Sequence, residues 1–356
     1  MAKKLMKGNI AVAETAVRAG CRFFAGYPIT PQNEIPEYLS RRLPEAGGVF
    51  IQGESEVASI NMVYGAAAGG TRAMTSSAGL GISLKTEGIS YLAGARLPAV
   101  IVDVTRGGPG LGSIQPAQQD YLQVTTALGH GGARTIVLAP HTVQEAVYLI
   151  YGAWDLAERD RNPVLLVMDG CLGSVMEEVE LPEPKKELPK ALEWSVGTCT
   201  GHPANRPRRT VTSIPGVERL EKQNINAAEM YKRWAEQDVR FEAYCTDDAE
   251  YILVAYGMSA RVCKYAVRHL RAGGMKIGLI RPVTLYPFPR AAFENLDYSR
   301  VKAIIDVEMA IPAQMYDDID LSVRGRAQIL SYGRSGGVTL MNEPTTSAIR
   351  AMIGGA

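Results

Sequence analysis

The feature that most limits the possible folds is an alternation, over residues 8–175, of short apolar runs with helical segments and glycine-rich turns. The apolar runs predict strands at 21–25, 49–52, 71–75, 99–104, 135–138 and 164–168. Strands that alternate with helices, and that are apolar along their whole length, predict a parallel sheet covered by helices on both faces. Such sheets bind ligands beyond the carboxyl ends of their strands, so functional residues are expected there.

The clearest single helix is predicted at 142–158. Apolar residues recur there at helical spacing, and Thr142 followed by Glu145 indicates a capping box at its start. The alternation stops at 181–245, where proline and charge predict a linker or surface arm, with one long exposed helix at 217–244.

After residue 249 the alternation returns, with strands predicted at 251–256, 276–280 and 303–306 and a helix at 259–272. The fold class is therefore α/β. We divide the chain into a first domain at 1–180, a linker at 181–245 and a smaller α/β domain at 246–356.

Composition excludes several classes of protein. Thirty-eight Lys and Arg against 37 Asp and Glu leave a net charge of +1, without the basic excess of a nucleic-acid binder. The apolar runs fall far short of the roughly 20 residues that cross a bilayer, and the N-terminus lacks the apolar part of a secretory signal. Five cysteines without a CxxC pair are expected to be reduced, in a cytoplasmic protein with no metal or cluster site in this chain.

Three segments at predicted strand ends contain candidate site residues. In the first, YPITPQNE, Thr30 and Pro31 are predicted to be the N-cap and first residue of a helix, whose N-terminus could hold a substrate carboxylate. In the second, Glu54 and Glu56 open a helix rich in small residues. Acids are favoured in a first helical turn, and small residues indicate close packing against a helix, a partner or a flat ligand.

The third segment, at 105–120, is rich in glycine but satisfies neither the dinucleotide-binding nor the P-loop pattern. Arg106 is the permanent cation at this strand end. It either anchors backbone carbonyls or pairs with an acid, or it recognises a carboxylate through two hydrogen bonds. His130 lies in a loop where a lone histidine is usually solvated, and no Ser–His–Asp or HExxH set is present.

The segments FAGYPITPQNE, QGESEVASINMVYGAAAGG, TSSAGLG and RGGPGLGSIQPAQQDY, in this order, resemble the α subunit of 2-oxoacid:ferredoxin oxidoreductases. The likeness covers nearly the whole chain. It is greatest to the 2-oxoisovalerate type and extends to the 2-oxoglutarate type. The resemblance implies a domain that binds the pyrimidine half of thiamine diphosphate, followed by a domain like the C-terminal domain of transketolase.

The resemblance also implies roles for particular residues. Glu56 matches the glutamate that hydrogen-bonds the pyrimidine nitrogen N1′ of the cofactor, and Pro28 is assigned with it to cofactor binding. Thr30 and Arg106 match residues that hold the substrate carboxylate. Tyr27 and Ile29 are assigned to the lining of the substrate pocket.

By the same resemblance, the enzyme decarboxylates a 2-oxoacid oxidatively, joins the acyl group to coenzyme A and passes electrons to ferredoxin. The GDG…N signature that binds Mg²⁺ and diphosphate is missing, since MDG at 168–170 does not fit it. A β subunit is therefore expected to supply Mg²⁺ and a 4Fe–4S cluster, with γ and ferredoxin-like δ subunits completing the complex.

Other functions stay open. A 2-oxoglutarate enzyme needs a second cation for the distal carboxylate, and Arg72, Lys85 and Arg96 are available. The stretches at 251–260 and 303–315 also resemble transketolases, which makes a non-oxidative thiamine enzyme an alternative. A non-catalytic subunit that only retains the fold is a third.

Overall fold

The computed structural model describes residues 3–186, 195–196, 211–212 and 216–354. Strands and helices alternate through most of these residues, as the sequence predicted. The strands are β1 (Lys4–Lys7), β2 (Phe23–Gly26), β3 (Val49–Gln52), β4 (Ala73–Ser77), β5 (Val100–Gly107), β6 (Ser113–Pro116), β7 (Ile136–Leu138), β8 (Val164–Asp169), β9 (Met176–Val179), β10 (Phe241–Tyr244), β11 (Tyr251–Val254), β12 (Ile277–Pro282), β13 (Thr284–Tyr286), β14 (Ala303–Glu308) and β15 (Gln328–Gly333).

The helices connect these strands and cover the sheets. They are α1 (Gly8–Arg18), α2 (Glu34–Glu45), α3 (Glu56–Ala68), α4 (Leu80–Gly94), α5 (Tyr121–Thr125), α6 (Val143–Asp160), α7 (Gly170–Ser174), α8 (Val217–Gln237), α9 (Gly257–Ala272), α10 (Arg290–Glu294), α11 (Tyr316–Val323) and α12 (Asn342–Gly354). In the described part of the chain, none of these helices has the length and apolar character needed to span a membrane.

The larger sheet has the strand order β13-β7-β8-β5-β4-β2-β3, and β6 pairs separately with β5. Its pairings are parallel except those of β13 and β6. The smaller sheet has the order β10-β12-β11-β14-β15, parallel except for β10, and β1 pairs with β9 apart from both. The carboxyl ends of β2, β3, β4 and β5 therefore lie side by side at one edge of the larger sheet.

The core lies on both faces of the larger sheet, because successive side chains of a strand point to opposite faces. On β5, Val100 and Val102 pack into the cluster that includes Trp154 of α6. Ile101 packs on the other face, with Ile60 of α3 and apolar side chains of the smaller sheet. The second face is thus continuous with the core of the smaller sheet.

Two helix predictions had different outcomes. Helix α6 begins after Thr142, whose hydroxyl accepts a hydrogen bond from the Glu145 backbone N–H at 3.1 Å, as predicted. For the helix predicted at 217–244, the predicted C-terminal end was wrong. Helix α8 ends at Gln237, and Phe241–Tyr244 form β10, which pairs with β12 because that edge of the smaller sheet was free.

Helix α8 is largely exposed, yet its C-terminal part is fixed to the body of the protein. Trp234 and Met230 are its buried residues. The indole N–H of Trp234 donates a hydrogen bond of 2.8 Å to the carboxylate of Asp160, at the end of α6. Helix α8, which lies in the segment predicted to be an arm, is therefore joined to the core through Trp234.

Candidate active site

The site begins with the turn that follows β2, and here the predicted helix start was wrong. Helix α2 begins at Glu34, with Asn33 at its N-cap position. Thr30 precedes it in an irregular turn that contains a cis peptide bond to Pro31. Thr30 therefore does not cap the helix, and its hydroxyl instead accepts a hydrogen bond of 3.3 Å from the Asn33 side chain.

Neighbouring side chains hold this turn in place. The amide group of Asn9 on α1 donates to the backbone carbonyl of Pro31 at 2.9 Å and to the carboxylate of Glu34 at 2.8 Å. The amide group of Gln32 donates to the backbone carbonyl of Tyr27 at 3.2 Å. Tyr27 and Pro28 are exposed at the tip of the turn. The turn is therefore fixed by hydrogen bonds while its tip remains accessible.

Arg106, near the end of β5, lies against this turn. Its guanidinium donates to the backbone carbonyls of Thr30 at 3.0 Å and Leu111 at 2.9 Å, and the residue is 5% exposed. The structure thus brings together Thr30 and Arg106, which the resemblance paired. It also shows the anchoring role that the sequence had offered as an alternative for Arg106.

Glu56 is the first residue of α3 and is 6% exposed. The N-cap before it is Ser55, whose hydroxyl accepts from the Ala58 backbone N–H at 3.1 Å. Within the described residues, no hydrogen bond is made to the Glu56 carboxylate. The exposed Glu54 lies outside the helix, so the two acids that the sequence grouped have different surroundings.

A glycine makes room for this carboxylate. A Cβ atom on Gly81 of α4 would lie 2.1 Å from the Ser77 hydroxyl and 2.9 Å from Glu56 Oε1. Similarly, a Cβ atom on Gly88 would lie 2.5 Å from the Ile60 side chain. These two glycines of α4 allow it to pack closely on α3. The small residues noted in the sequence lie on α3 itself, where a Cβ atom on Gly65 would meet no atom within 4 Å.

The three cations proposed for a distal carboxylate lie in different places. Arg72 precedes β4 and pairs with Glu158 at 2.6 Å, and Arg96 donates to the backbone carbonyl of Asp160. Both therefore serve structural contacts. Lys85 is the one that lies beside the site, where its Nζ donates to the Glu56 backbone carbonyl at 3.3 Å.

Sequence reasoning missed a buried acid pair near Arg106. Asp103 lies on β5 with 0% exposure, and neither carboxyl oxygen has a hydrogen-bond partner among the described residues. Burial, and then the charge of Asp120, raise the pKa of Asp103 well above its usual range. Burial also raises the pKa of Asp120 to about 6, against opposing effects of the Gly79 N–H and Arg106. A charged residue inside the apolar run AVIVDV was the signal available in the sequence.

Two histidines from the described part of the chain, His130 and His141, make no contact with this site. His130 is exposed, and His202, like Cys199, lies outside the described residues. His141 belongs to a charged cluster, with its Nδ1 atom 2.6 Å from Glu145. In the described part of the chain, the four cysteines are free and no group of three or more His, Cys, Asp or Glu residues could hold a metal ion.

Comparison with known proteins identifies the family. Residues 14–241 match the family described as pyruvate flavodoxin/ferredoxin oxidoreductase, thiamine diphosphate-binding, and residues 249–344 match pyruvate:ferredoxin oxidoreductase core domain II. The ketoisovalerate oxidoreductase subunit VorB of Methanothermobacter thermautotrophicus is 46% identical, over 99% of each chain. This chain belongs to the 2-oxoacid:ferredoxin oxidoreductase family.

A more distant relative agrees with this membership, and two solved structures share the fold. The 2-oxoglutarate synthase subunit KorA of Methanocaldococcus jannaschii is 34% identical over 95% of this chain and 96% of its own. A solved 2-oxoglutarate:ferredoxin oxidoreductase from Magnetococcus marinus shares the fold, with a TM-score of 0.85 at 24% identity. The match covers 99% of this chain and 65% of that one. A split-gene transketolase shares it more loosely, with a TM-score of 0.55 at 12% identity. The predicted fold class is confirmed.

Proposed function

We propose that this oxidoreductase subunit is an α subunit that binds the pyrimidine side of thiamine diphosphate and takes part in the coenzyme A-dependent oxidative decarboxylation of a branched-chain 2-oxoacid. The observation that carries the proposal is the 46% identity, over 99% of both chains, to a ketoisovalerate oxidoreductase subunit. The position of Glu56, Thr30 and Arg106 at adjoining strand ends supports it.

Glu56 is the residue that we assign to the cofactor, together with Pro28. The residues fit a flat, hydrogen-bonding ring. The Glu56 carboxylate is nearly buried, receives no hydrogen bond from the described residues, and lies where Gly81 leaves room. When bound, the thiamine group supplies an electron sink for decarboxylation. Glu56 would hold a proton at the ring nitrogen and fix the orientation of the ring.

Arg106 and Thr30 are the residues that we assign to the substrate carboxylate. The guanidinium has five N–H donors, and two hydrogen bonds to carbonyls leave others for a carboxylate. The same two bonds fix the guanidinium beside the Thr30 turn, which reduces the ordering cost when a carboxylate binds. Tyr27 and Ile29 would line the pocket from this turn.

We favour a branched-chain 2-oxoacid over 2-oxoglutarate as the substrate for two reasons. Identity is 46% to the ketoisovalerate subunit against 34% to the 2-oxoglutarate subunit. Arg72 and Arg96, which could have bound a distal carboxylate, form structural contacts instead. The alternative is a 2-oxoglutarate enzyme, in which Lys85, which lies beside the site, or a cation from a partner subunit would bind the distal carboxylate.

Partner subunits belong to the proposal. The VorB and KorA relatives are named as subunits, which supports a heteromeric enzyme. We assign Mg²⁺, the diphosphate contacts and 4Fe–4S clusters to a β subunit, and further electron transfer to γ and ferredoxin-like δ subunits that reduce ferredoxin. We also place the complex in the cytoplasm.

The test is viologen reduction by the native complex, purified without oxygen and supplied with thiamine diphosphate and coenzyme A. The substrates are 2-oxoisovalerate, 2-oxoglutarate, pyruvate and an aryl pyruvate. We expect reduction that requires coenzyme A and is fastest with 2-oxoisovalerate. A preference for 2-oxoglutarate would select the alternative substrate. Absence of reduction with all four, in a complex with intact clusters and cofactor, would favour a non-oxidative thiamine enzyme or a non-catalytic subunit.

A further inference from the structure

A lysine is buried beside Glu56, and the proposed chemistry gives its charge no role. Lys85 lies on α4, one helical turn after Gly81, and is 0% exposed. Lysine is almost never buried completely, because its ammonium loses its hydration. Its one hydrogen bond among the described residues is the 3.3 Å contact from Nζ to the Glu56 backbone carbonyl.

The charge of Glu56 also affects the pKa of Lys85. Burial lowers the pKa of Lys85 to about 8, although the Glu56 carboxylate opposes this effect. The other ionisable groups of α3 and α4 are Tyr64, Glu87 and Tyr91, and Glu87 accepts a hydrogen bond from Tyr91 at an exposed position. Strand β4, beneath the two helices, contains no ionisable side chain. Among the described residues, Glu56 is thus the charged group that acts on the pKa of Lys85. Asp120 and Arg106 lie against Gly79, at the N-terminal end of α4.

We propose that Lys85 balances the charge of the cofactor site, and that it releases its proton when bound cofactor places a second positive charge against Glu56. This inference rests on the proposed function, in which Glu56 holds a proton at the ring nitrogen. One carboxylate in a poorly hydrated site can balance one cation well but not two. The proton leaves Nζ for solvent as another is taken up at the ring, so the net charge of the site stays constant.

A purely structural role predicts something different. If Lys85 only ties the start of α3 to α4, its ionisation state would not change when cofactor binds. The number of protons exchanged on binding therefore separates the two roles. That number is obtained by calorimetric titration of the cofactor-free native complex with thiamine diphosphate and Mg²⁺ in buffers of different ionisation enthalpy.

The variants are Lys85→Met, which removes the charge, and Lys85→Arg, which keeps a cation that cannot lose its proton. Neither variant can release a proton from residue 85 when the cofactor binds. Near pH 7, the number of protons taken up per bound cofactor should therefore be higher in both variants than in the parent, by up to one. Lys85→Arg should also bind the cofactor more weakly, because its charge cannot leave. Groups on the partner subunits contribute equally to the parent and the variants, so they cancel in the difference.

The parent alone gives a second test, which does not depend on a variant that folds. Its proton uptake on binding should rise as the pH passes 8, since Lys85 is then already neutral in the empty site. Equal proton counts in parent and variants, or an uptake in the parent that does not rise with pH, would overturn the role of Lys85. Unchanged cofactor affinity in Glu56→Gln would instead overturn the proposed function.

Discussion

At the residue scale, the candidate site depends on one carboxylate. Glu56 has little contact with water and no hydrogen-bond donor of its own among the described residues. It is also set at a helix start, where a negative charge is stabilised by the helix dipole. This carboxyl group is therefore available to a ligand, which is why its substitution should affect chemistry before stability.

Replacing Glu56 by Gln should lower kcat by about 10²–10⁴-fold, because the amide cannot hold the proton at the cofactor ring. The subunits should still assemble, which size-exclusion chromatography can check. Glu54→Gln is the matched control, since Glu54 is exposed two residues earlier, and its kcat should be unchanged. Full activity of Glu56→Gln would contradict the assignment.

Replacing Gly81 by Ala should reduce thiamine diphosphate affinity by about tenfold or more, equivalent to about 1.4 kcal/mol. The new methyl group would lie 2.1 Å from the Ser77 hydroxyl and 2.9 Å from Glu56 Oε1, so the carboxylate must shift. Gly65→Ala on α3 is the control, because a Cβ there meets no atom within 4 Å. Equal affinity in both variants, by titration of the cofactor, would show that Gly81 is not needed.

At the element scale, α8 shows how a mostly exposed helix is held. Trp234→Ala should lower the free energy of unfolding by about 3–5 kcal/mol, since it empties a buried site and removes the hydrogen bond to Asp160. Val217→Ala, at the exposed start of the same helix, should change it by less than about 0.5 kcal/mol. Urea unfolding measures both, and similar values would refute the anchoring role.

Most elements could be predicted because their signals are local. Apolar runs marked the strands, and Thr142 marked the start of α6, within a few residues. The error at Phe241–Tyr244 has a different origin, because that segment forms β10 only through pairing with β12. Periodicity within one segment contains no information about a distant partner strand.

The site was less predictable than the fold. The contact of Arg106 with Thr30 joins two strand ends far apart in the chain, and only the family resemblance placed the two residues together. The turn at Thr30 was misread because a residue that can cap a helix, followed by proline, also fits an irregular turn. Asp103 was overlooked because its importance lies in its complete burial next to Asp120, which spacing does not reveal.

At the scale of the whole molecule, a charged cluster joins the two sheets. Glu145, on α6, accepts two hydrogen bonds of 3.0 Å from Arg281 on β12. Burial acts to raise the pKa of Glu145, but His141 and Arg281 outweigh it and lower that pKa to about 2. The ionised form of Glu145 therefore stabilises the contact between the two halves of the chain.

Glu145→Gln should be less stable than the parent, by on the order of 3 kcal/mol at neutral pH. A lowered pKa in the folded state gives stability that is present above the unfolded value, here 4.5, and is lost as pH falls towards about 2. The difference in free energy of unfolding between the parent and Glu145→Gln should therefore become smaller as the pH falls from 4.5 towards about 2. Urea unfolding at several pH values measures this difference. Glu221→Gln, at an exposed position, should follow the parent throughout, and a gap independent of pH would contradict the assignment.

The strand order has a consequence for how such a chain can be divided. Strands β10, β11 and β12 belong to the smaller sheet. Strand β13, which comes after them in the sequence, instead pairs with β7 at the edge of the larger sheet. A single break before β10 would leave β7 with an unpaired backbone edge, and a break after β13 would take three strands from the smaller sheet. Either fragment would carry an open edge of the kind that promotes aggregation. The two halves are therefore interleaved, and we expect a gene encoding this protein to tolerate fission poorly at either of these positions.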